Sequence, residues 1–254
     1  MKRRFQVDDR GRLDNALVHL GAFASRARAQ AAIKAGCVAK NGSLIKKTSV
    51  NVISGDVIDV VGDAYPYVSR GGVKLEAVLQ HFSVDASQKT CLDLGASTGG
   101  FSDVLLRAGA ARIFAVDVGS GQLDPSIAND PRVVNLEKTN ARALSRMLIP
   151  EALDIIVCDV SFISLKLVLP PALPLAGSRA RLVALVKPQF EVGKSRLGKG
   201  GIVKPGYENA EGVAEDMAAW ITSQAGWRSD GFIESPITGG DGNREFLLAA
   251  TRED

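Results

Sequence analysis

The 254-residue sequence predicts a doubly wound α/β domain preceded by a small α+β unit. Short apolar runs recur at residues 90–94, 113–117, 133–136, 154–159, 181–187 and 246–250, and helical periodicity occupies 73–80, 101–108 and 213–225. A glycine-rich turn follows the first apolar run. Runs this short, apolar throughout and separated by helices, predict parallel strands buried on both faces. Ligands of such sheets sit at the carboxyl ends of the strands. Hydrophobic residues at 46% and charged residues at 23% fit a folded core and exclude a disordered chain.

The N-terminal unit is expected over residues 1–62. Leu13, Leu17 and Leu20 repeat at helical spacing and Gly21 stops that helix. Ser25 is placed to cap a second helix over 26–35, with Ala29 and Ile33 on one face and Gly36 after it. Apolar residues at 37–39 and 44–45 flank Lys40-Asn41-Gly42-Ser43, a strong hairpin signal. Residues 57–60 read as one more strand. Gly62, Pro66 and Gly71-Gly72 then break regular structure, so residues 63–73 are expected as a linker and 74–254 as the second domain.

The net charge of +3 conceals an asymmetry: residues 1–50 carry +8 and the remainder −5. A basic front on a mildly acidic body predicts that the first unit meets a polyanion. No membrane span is expected, because the longest uncharged run, 167–178, contains three prolines and falls short of the ~20 apolar residues a span needs. The basic start is not followed by an apolar segment, so no secretory leader is expected. Cys37, Cys91 and Cys158 lack metal-ligand spacing, and Cys91 and Cys158, in apolar runs, predict inert buried thiols; a reducing, cytoplasmic setting fits. His19 and His81 read as helix-face residues, and no metal is expected.

The most informative stretch is Cys91-Leu-Asp-Leu-Gly-Ala-Ser-Thr-Gly-Gly-Phe101. A strand running through glycines into a helix is the layout of a nucleotide site. Gly95, Ser97, Gly99 and Gly100 do not follow the dinucleotide pattern, however, and no phosphate-binding lysine is present. Asp93 would set a carboxylate at the ligand's mouth, which suits an ammonium group and repels a pyrophosphate. Asp117 ends the next strand 22 residues after Gly95, the distance expected of a ribose-binding acid. Asn140 is placed to meet an adenine edge. S-adenosylmethionine carries all three groups. Lys74, Asp159, Lys187 and Glu245 also stand at strand or helix ends, where such a sheet gathers its chemistry.

Two resemblances add to this reading. Arg12-Leu13-Asp14, Ser25-Arg26, Arg28-Ala29, Ala32-Ile33, Gly36-Cys37-Val38 and Asn41-Gly42 resemble an S4 RNA-binding domain. The resemblance implies structured RNA as partner, with Arg12, Arg26, Arg28, Lys34, Lys40, Lys46 and Lys47 as the basic contacts. Phe23 is the only aromatic among residues 10–60, so shape recognition is expected rather than base stacking.

The body resembles the ribose 2′-O-methyltransferases of the FtsJ type, and the whole is similar to the TlyA family, which joins the two parts. The matching blocks are Tyr67-Val-Ser-Arg-Gly-Gly-Val-Lys-Leu-Glu76, Asp93 to Phe101, Asp117-Val-Gly-Ser-Gly-Gln-Leu123 and Asn140-Ala-Arg142. Asp159-Val-Ser-Phe-Ile-Ser-Leu165, Val186-Lys-Pro-Gln-Phe-Glu191 and Gly198-Lys-Gly-Gly-Ile202 continue the match. Lys204-Pro205 departs from it, standing where the family carries Arg-Asp. The resemblance implies a Rossmann-like methyltransferase sheet, S-adenosylmethionine as cofactor, and a catalytic tetrad of Lys74, Asp159, Lys187 and Glu245. It implies a cytidine 2′-hydroxyl of ribosomal RNA as acceptor, on free RNA or a ribosomal subunit. Alternatives are a catalytically silent RNA-binding protein and a membrane-lysing haemolysin, a label attached to the family.

Overall fold

The computed structural model describes residues 2–192, 210–239 and 242–253. It divides into two compact units, Met1–Pro66 and Tyr67–Asp254. The stretches Gly198 to Ile202 and Lys204-Pro205 lie outside the described residues.

The first unit runs β1 (Lys2–Gln6), β2 (Gly11–Arg12), α1 (Leu13–His19), α2 (Arg26–Lys34), β3 (Val38–Lys40), β4 (Ser43–Ile45), β5 (Asn51–Val52) and β6 (Val57–Val61). Its main sheet has the order β1-β6-β3-β4, and Asn41-Gly42 turns β3 into β4 with Lys40 opposite Ser43. Leu13, Leu17, Ala29, Ile33, Val38 and Ile58 form its core. Ser25 caps α2 by accepting from the Arg28 N–H at 3.3 Å. Strand β1 carries no sequence signal: Lys-Arg-Arg-Phe-Gln reads as a charged tail, yet it pairs along β6 as an edge strand with mostly exposed side chains.

The second unit continues with α3 (Gly71–His81), β7 (Thr90–Leu94), α4 (Gly100–Arg107), β8 (Arg112–Val116), α5 (Pro125–Ala128), β9 (Val133–Leu136), β10 (Leu153–Cys158), α6 (Leu165–Val168), β11 (Ala176–Val186) and α7 (Pro188–Glu191). After the undescribed stretch come α8 (Ala210–Thr222), β12 (Trp227–Glu234) and β13 (Phe246–Arg252). Among the described residues seven strands form one sheet, ordered β12-β13-β11-β10-β7-β8-β9. The expectation of a wholly parallel sheet needs correction. Strands β7 to β11 are mutually parallel, but β13 lies antiparallel to β11 and β12 antiparallel to β13. A parallel pair needs a crossover of a dozen or more residues, usually a helix; β12 and β13 follow each other with only 235–245 between them.

Side chains along the strands alternate between two cores, as the two-residue period requires. Leu92, Leu94, Ile156 and Cys158 pack on one face with Val168, Met217 and Ile221. Cys91, Ile155 and Val157 pack on the other with Leu75, Val78, Val104 and Leu105. Cys91 and Cys158 are buried and free, and burial pushes both thiols well up. Among the described residues no helix is long and apolar enough to cross a membrane.

Candidate active site

One edge of the large sheet carries the carboxyl ends of β8, β7, β10 and β11 together with the amino end of antiparallel β13. The residues immediately beyond those ends are Asp117, Gly95, Asp159 and Lys187, and Glu245 directly precedes β13.

Beyond β7 the chain turns sharply. Gly95 adopts φ +80° and its N–H donates to the Val116 carbonyl at 2.9 Å. A Cβ at Gly95 would lie 2.7 Å from the Asp159 carbonyl oxygen, so only glycine lets this turn press against the β10 end. A Cβ on Gly100 would lie 2.0 Å from Ser69 Oγ, and one on Gly72 would lie 2.3 Å from the Tyr67 ring. A Cβ on Gly71 would lie 3.6 Å from the Phe101 ring, and one on Gly100 3.2 Å from the Gly72 nitrogen, so these two glycines let the starts of α3 and α4 come together. The break expected at 71–73 is the opening of α3 itself, where small residues serve close approach rather than a loop.

That approach places Lys74, on the first turns of α3, where it forms a buried ion pair with Glu245. Lys187 Nζ lies 2.6 Å from Asp159 Oδ1 and donates to Ser161 Oγ at 2.8 Å. The register sets Val186 opposite Phe246, so Lys187 and Glu245 occupy neighbouring strand ends. Four residues spread over 171 positions are thereby joined: Lys74 to Glu245, Glu245 beside Lys187, and Lys187 to Asp159. Each ammonium has a carboxylate, which low-dielectric surroundings demand of a buried charge.

Asp93 is not at the mouth of the turn. It is fully enclosed beneath it, with Ser102 Oγ donating to Oδ2 at 2.7 Å. Burial, reinforced by Asp159 and Asp117, pushes its carboxyl up to about 7. Its Oδ1 has no donor among the described residues. Asp117 is half-buried and accepts from the Ser97 N–H at 2.8 Å and the Gly119 N–H at 2.7 Å, which aims the carboxylate along the glycine turn. Asn140 is exposed and its Oδ1 accepts from the Arg142 N–H at 3.0 Å, capping a short turn after β9.

Three supports were not singled out as site residues, because isolated serines and glutamates are common on surfaces, although Ser161 and Glu191 lie within the blocks that match the family. Ser161 and Ser102 are two of them. The third is Glu191, which accepts from Ser164 Oγ at 2.5 Å and from the Leu165 N–H at 2.9 Å. Burial raises its carboxyl above the ordinary value. It ties the loop after Asp159 to the helix after Lys187, fixing both members of that ion pair. Phe162, between those anchors, has φ +66° and is 91% exposed beside Phe190. An aromatic residue in the left-handed region is unusual and marks a tightly constrained loop.

In the first unit the basic residues fall into three groups. Arg12 and Arg26 both pair with Asp14. Arg28 pairs with Asp63 and lies over the Tyr65 ring, and Lys40 pairs with Asp56 at 2.7 Å, so both are engaged within the unit. Lys34, Lys46 and Lys47 are exposed.

Comparison with known proteins agrees with this geometry. Residues 67–252 match the FtsJ-like methyltransferase family and residues 11–58 match the S4 domain. A Mycobacterium tuberculosis protein, 16S/23S rRNA (cytidine-2′-O)-methyltransferase TlyA, is 45% identical over 94% of this chain and 89% of its own. A solved Streptococcus thermophilus structure carrying a hemolysin label is 36% identical with TM-score 0.72, covering 97% of this chain and 90% of that one. A Bacillus cereus O-methyltransferase solved in complex with SAH, 14% identical with TM-score 0.50 over 72% of this chain and 80% of that one, shares the fold.

Proposed function

The chain belongs to the TlyA family, an S4 domain joined to an FtsJ-like methyltransferase domain, and on that footing we propose that it methylates a cytidine ribose 2′-hydroxyl of ribosomal RNA in the cytoplasm, using S-adenosylmethionine. The observation that carries the reading is the Lys187–Asp159 ion pair standing against the Gly95 turn.

S-adenosylmethionine supplies a methyl group already activated on a sulfonium. The protein must then orient the hydroxyl in line and help its proton leave. Lys187 is assigned to the hydroxyl, taking its proton or stabilising the developing oxyanion. Asp159 and Ser161 fix the direction of Lys187 Nζ. Lys74 and Glu245 complete the charge balance of the crevice. Asp93, enclosed beneath the turn, is assigned to cofactor binding through Ser102 and the glycine turn it supports rather than by direct contact. Asp117 fits the ribose, Gly95, Ser97, Gly99 and Gly100 give it close backbone approach, and Asn140 offers an amide to the adenine. Arg12, Arg26, Arg28, Lys34, Lys40, Lys46 and Lys47 are the basic side chains assigned to RNA, with the exposed lysines the most available to phosphates.

The test is methyl transfer from labelled cofactor to 16S and 23S ribosomal RNA and to isolated subunits, with the modified nucleotide located by mass spectrometry. A 2′-O-methylcytidine that appears with the protein and disappears in Lys187→Ala supports the reading. RNA binding without transfer would identify a silent RNA-binding protein, and dye release from liposomes without transfer would identify a lytic one.

A further inference from the structure

We propose that Asp14 is a positioning residue for RNA, holding the guanidinium groups of Arg12 and Arg26 as a rigid double fork for phosphate. This rests on the reading that the first unit contacts RNA.

Asp14 lies in the first turn of α1 and its side chain is wholly buried, an uncommon place for a carboxylate. Such burial is costly unless the charge is fully bonded. Here Arg12 donates from Nε at 3.0 Å to Oδ1 and from Nη2 at 3.1 Å to Oδ2. Arg26 donates from Nε at 2.8 Å and Gln30 from Nε2 at 2.6 Å, both to Oδ2, while the Asn15 N–H donates to Oδ1 at 3.1 Å. These donors, the Arg12 bonds foremost, hold the carboxyl well below the usual carboxylate range, so it is ionised at any working pH.

Two features separate this cluster from an ordinary core ion pair. Both arginines remain about half exposed, at 42% and 53% of their side chains, although their partner is fully buried. Arg26 reaches Asp14 through Nε alone, which leaves both of its Nη groups, and Nη1 of Arg12, turned away from the bond. Arg12 is further held by donating to the Thr48 carbonyl at 3.3 Å. The carboxylate therefore occupies the inner edge of each fork and fixes its plane, while the outer N–H groups stay available for an anion. A planar, pre-set guanidinium matches phosphate oxygens bidentately at little further entropic cost. Arg26 opens α2, whose N-terminal end adds its partial positive charge.

The sign of one substitution separates positioning from bulk charge. Asp14→Asn makes the protein more positive. If the rim acted by net charge alone, RNA affinity would rise; a positioning role predicts that it falls. The measurement uses the full-length protein with in vitro transcripts of 16S and 23S ribosomal RNA, titrated between about 50 and about 200 mM salt. Cooperative melting checks the fold of each variant. Asp14→Asn is expected to weaken binding about tenfold and to flatten the salt dependence by roughly one phosphate contact. Arg26→Lys, which keeps the charge but not the fork, is expected to weaken it at least about fivefold.

Equal or tighter binding by a folded Asp14→Asn overturns the proposal. Should that variant fail to fold, Arg26→Lys and Arg12→Lys decide, and wild-type affinity in both overturns it. Arg26→Ala separates the two readings. If it too binds like the wild type, Arg26 does not touch RNA and the proposal fails; wild-type affinity in a chain that also carries Lys34→Ala, Lys46→Ala and Lys47→Ala would sink the reading beneath it. If it binds weakly while Arg26→Lys and Asp14→Asn do not, the rim binds RNA by charge and only the role of Asp14 fails.

Discussion

Lys187 is held from two sides, by the Asp159 carboxylate and the Ser161 hydroxyl, and that double hold makes its removal informative. Lys187→Ala and Asp159→Asn are each expected to cut methyl transfer by about 100-fold or more, the scale of a lost general base. Cofactor affinity measured by calorimetry should stay within a few-fold, because neither residue is assigned to cofactor binding. Transfer at wild-type rates in either variant removes that residue from the mechanism. Asp93 makes a separate prediction about pH. Its carboxyl is raised to about 7 in the folded chain and titrates near the ordinary ~3.9 when unfolded. The folded state therefore holds the proton more tightly, and this group costs stability as pH climbs from about 4 to about 7, by about 1.4 kcal/mol per pH unit at most. Denaturant melts without cofactor should show that decline in the wild type. Asp93→Asn should lack it, and parallel slopes in the two proteins would refute the assignment.

Among the helices and strands, the starts of α3 and α4 decide whether the crevice forms. Their approach depends on Gly100, where a Cβ would lie 2.0 Å from Ser69 Oγ and 3.2 Å from the Gly72 nitrogen. Gly100→Ala should therefore destabilise by about 1–3 kcal/mol, as overpacking does, and should weaken cofactor binding as well. Gly212, inside α8, has open space where a Cβ would stand. Gly212→Ala should be neutral or stabilising by about 0.5–1 kcal/mol, since helical glycine costs backbone entropy. Urea melts of the two variants give opposite signs on this account. The Asp93–Phe101 stretch announced its strand, turn and helix because glycine and apolar spacing are local properties. Strand β12 escaped notice, since Trp-Arg-Ser-Asp-Gly-Phe-Ile-Glu has no alternation and its pairing is supplied by β13.

The molecule as a whole consists of two units with separate cores, one built around Leu13, Leu17 and Ile33 and the other around the large sheet. Removing residues 1–66 is expected to leave cofactor affinity within a few-fold and to abolish transfer to ribosomal RNA. Calorimetry and the transfer assay read the two outcomes separately. Undiminished transfer by the shortened chain would show that the S4 unit is not the RNA-capturing part. The basic excess of residues 1–50 predicts the converse for the whole protein: RNA affinity that falls steeply as salt rises.

By itself the sequence determined the α/β class, the strand ends and the glycine turn, which rest on local periodicity and glycine spacing. The grouping of Lys74, Asp159, Lys187 and Glu245 as one set came from the resemblance to a known family, since a charged residue at a strand end commonly serves only solubility. Only the tertiary structure decided which partners they take. Lys74 meets Glu245 because α3 packs on α4 and because β13 runs antiparallel to β11, and neither fact is a property of adjacent residues. The same holds for Asp93, enclosed rather than facing a ligand's mouth, for Glu191, and for Asp14, whose burial no spacing announced. A carboxylate in a first helical turn reads as solvated until packing removes the water and leaves it to arginine.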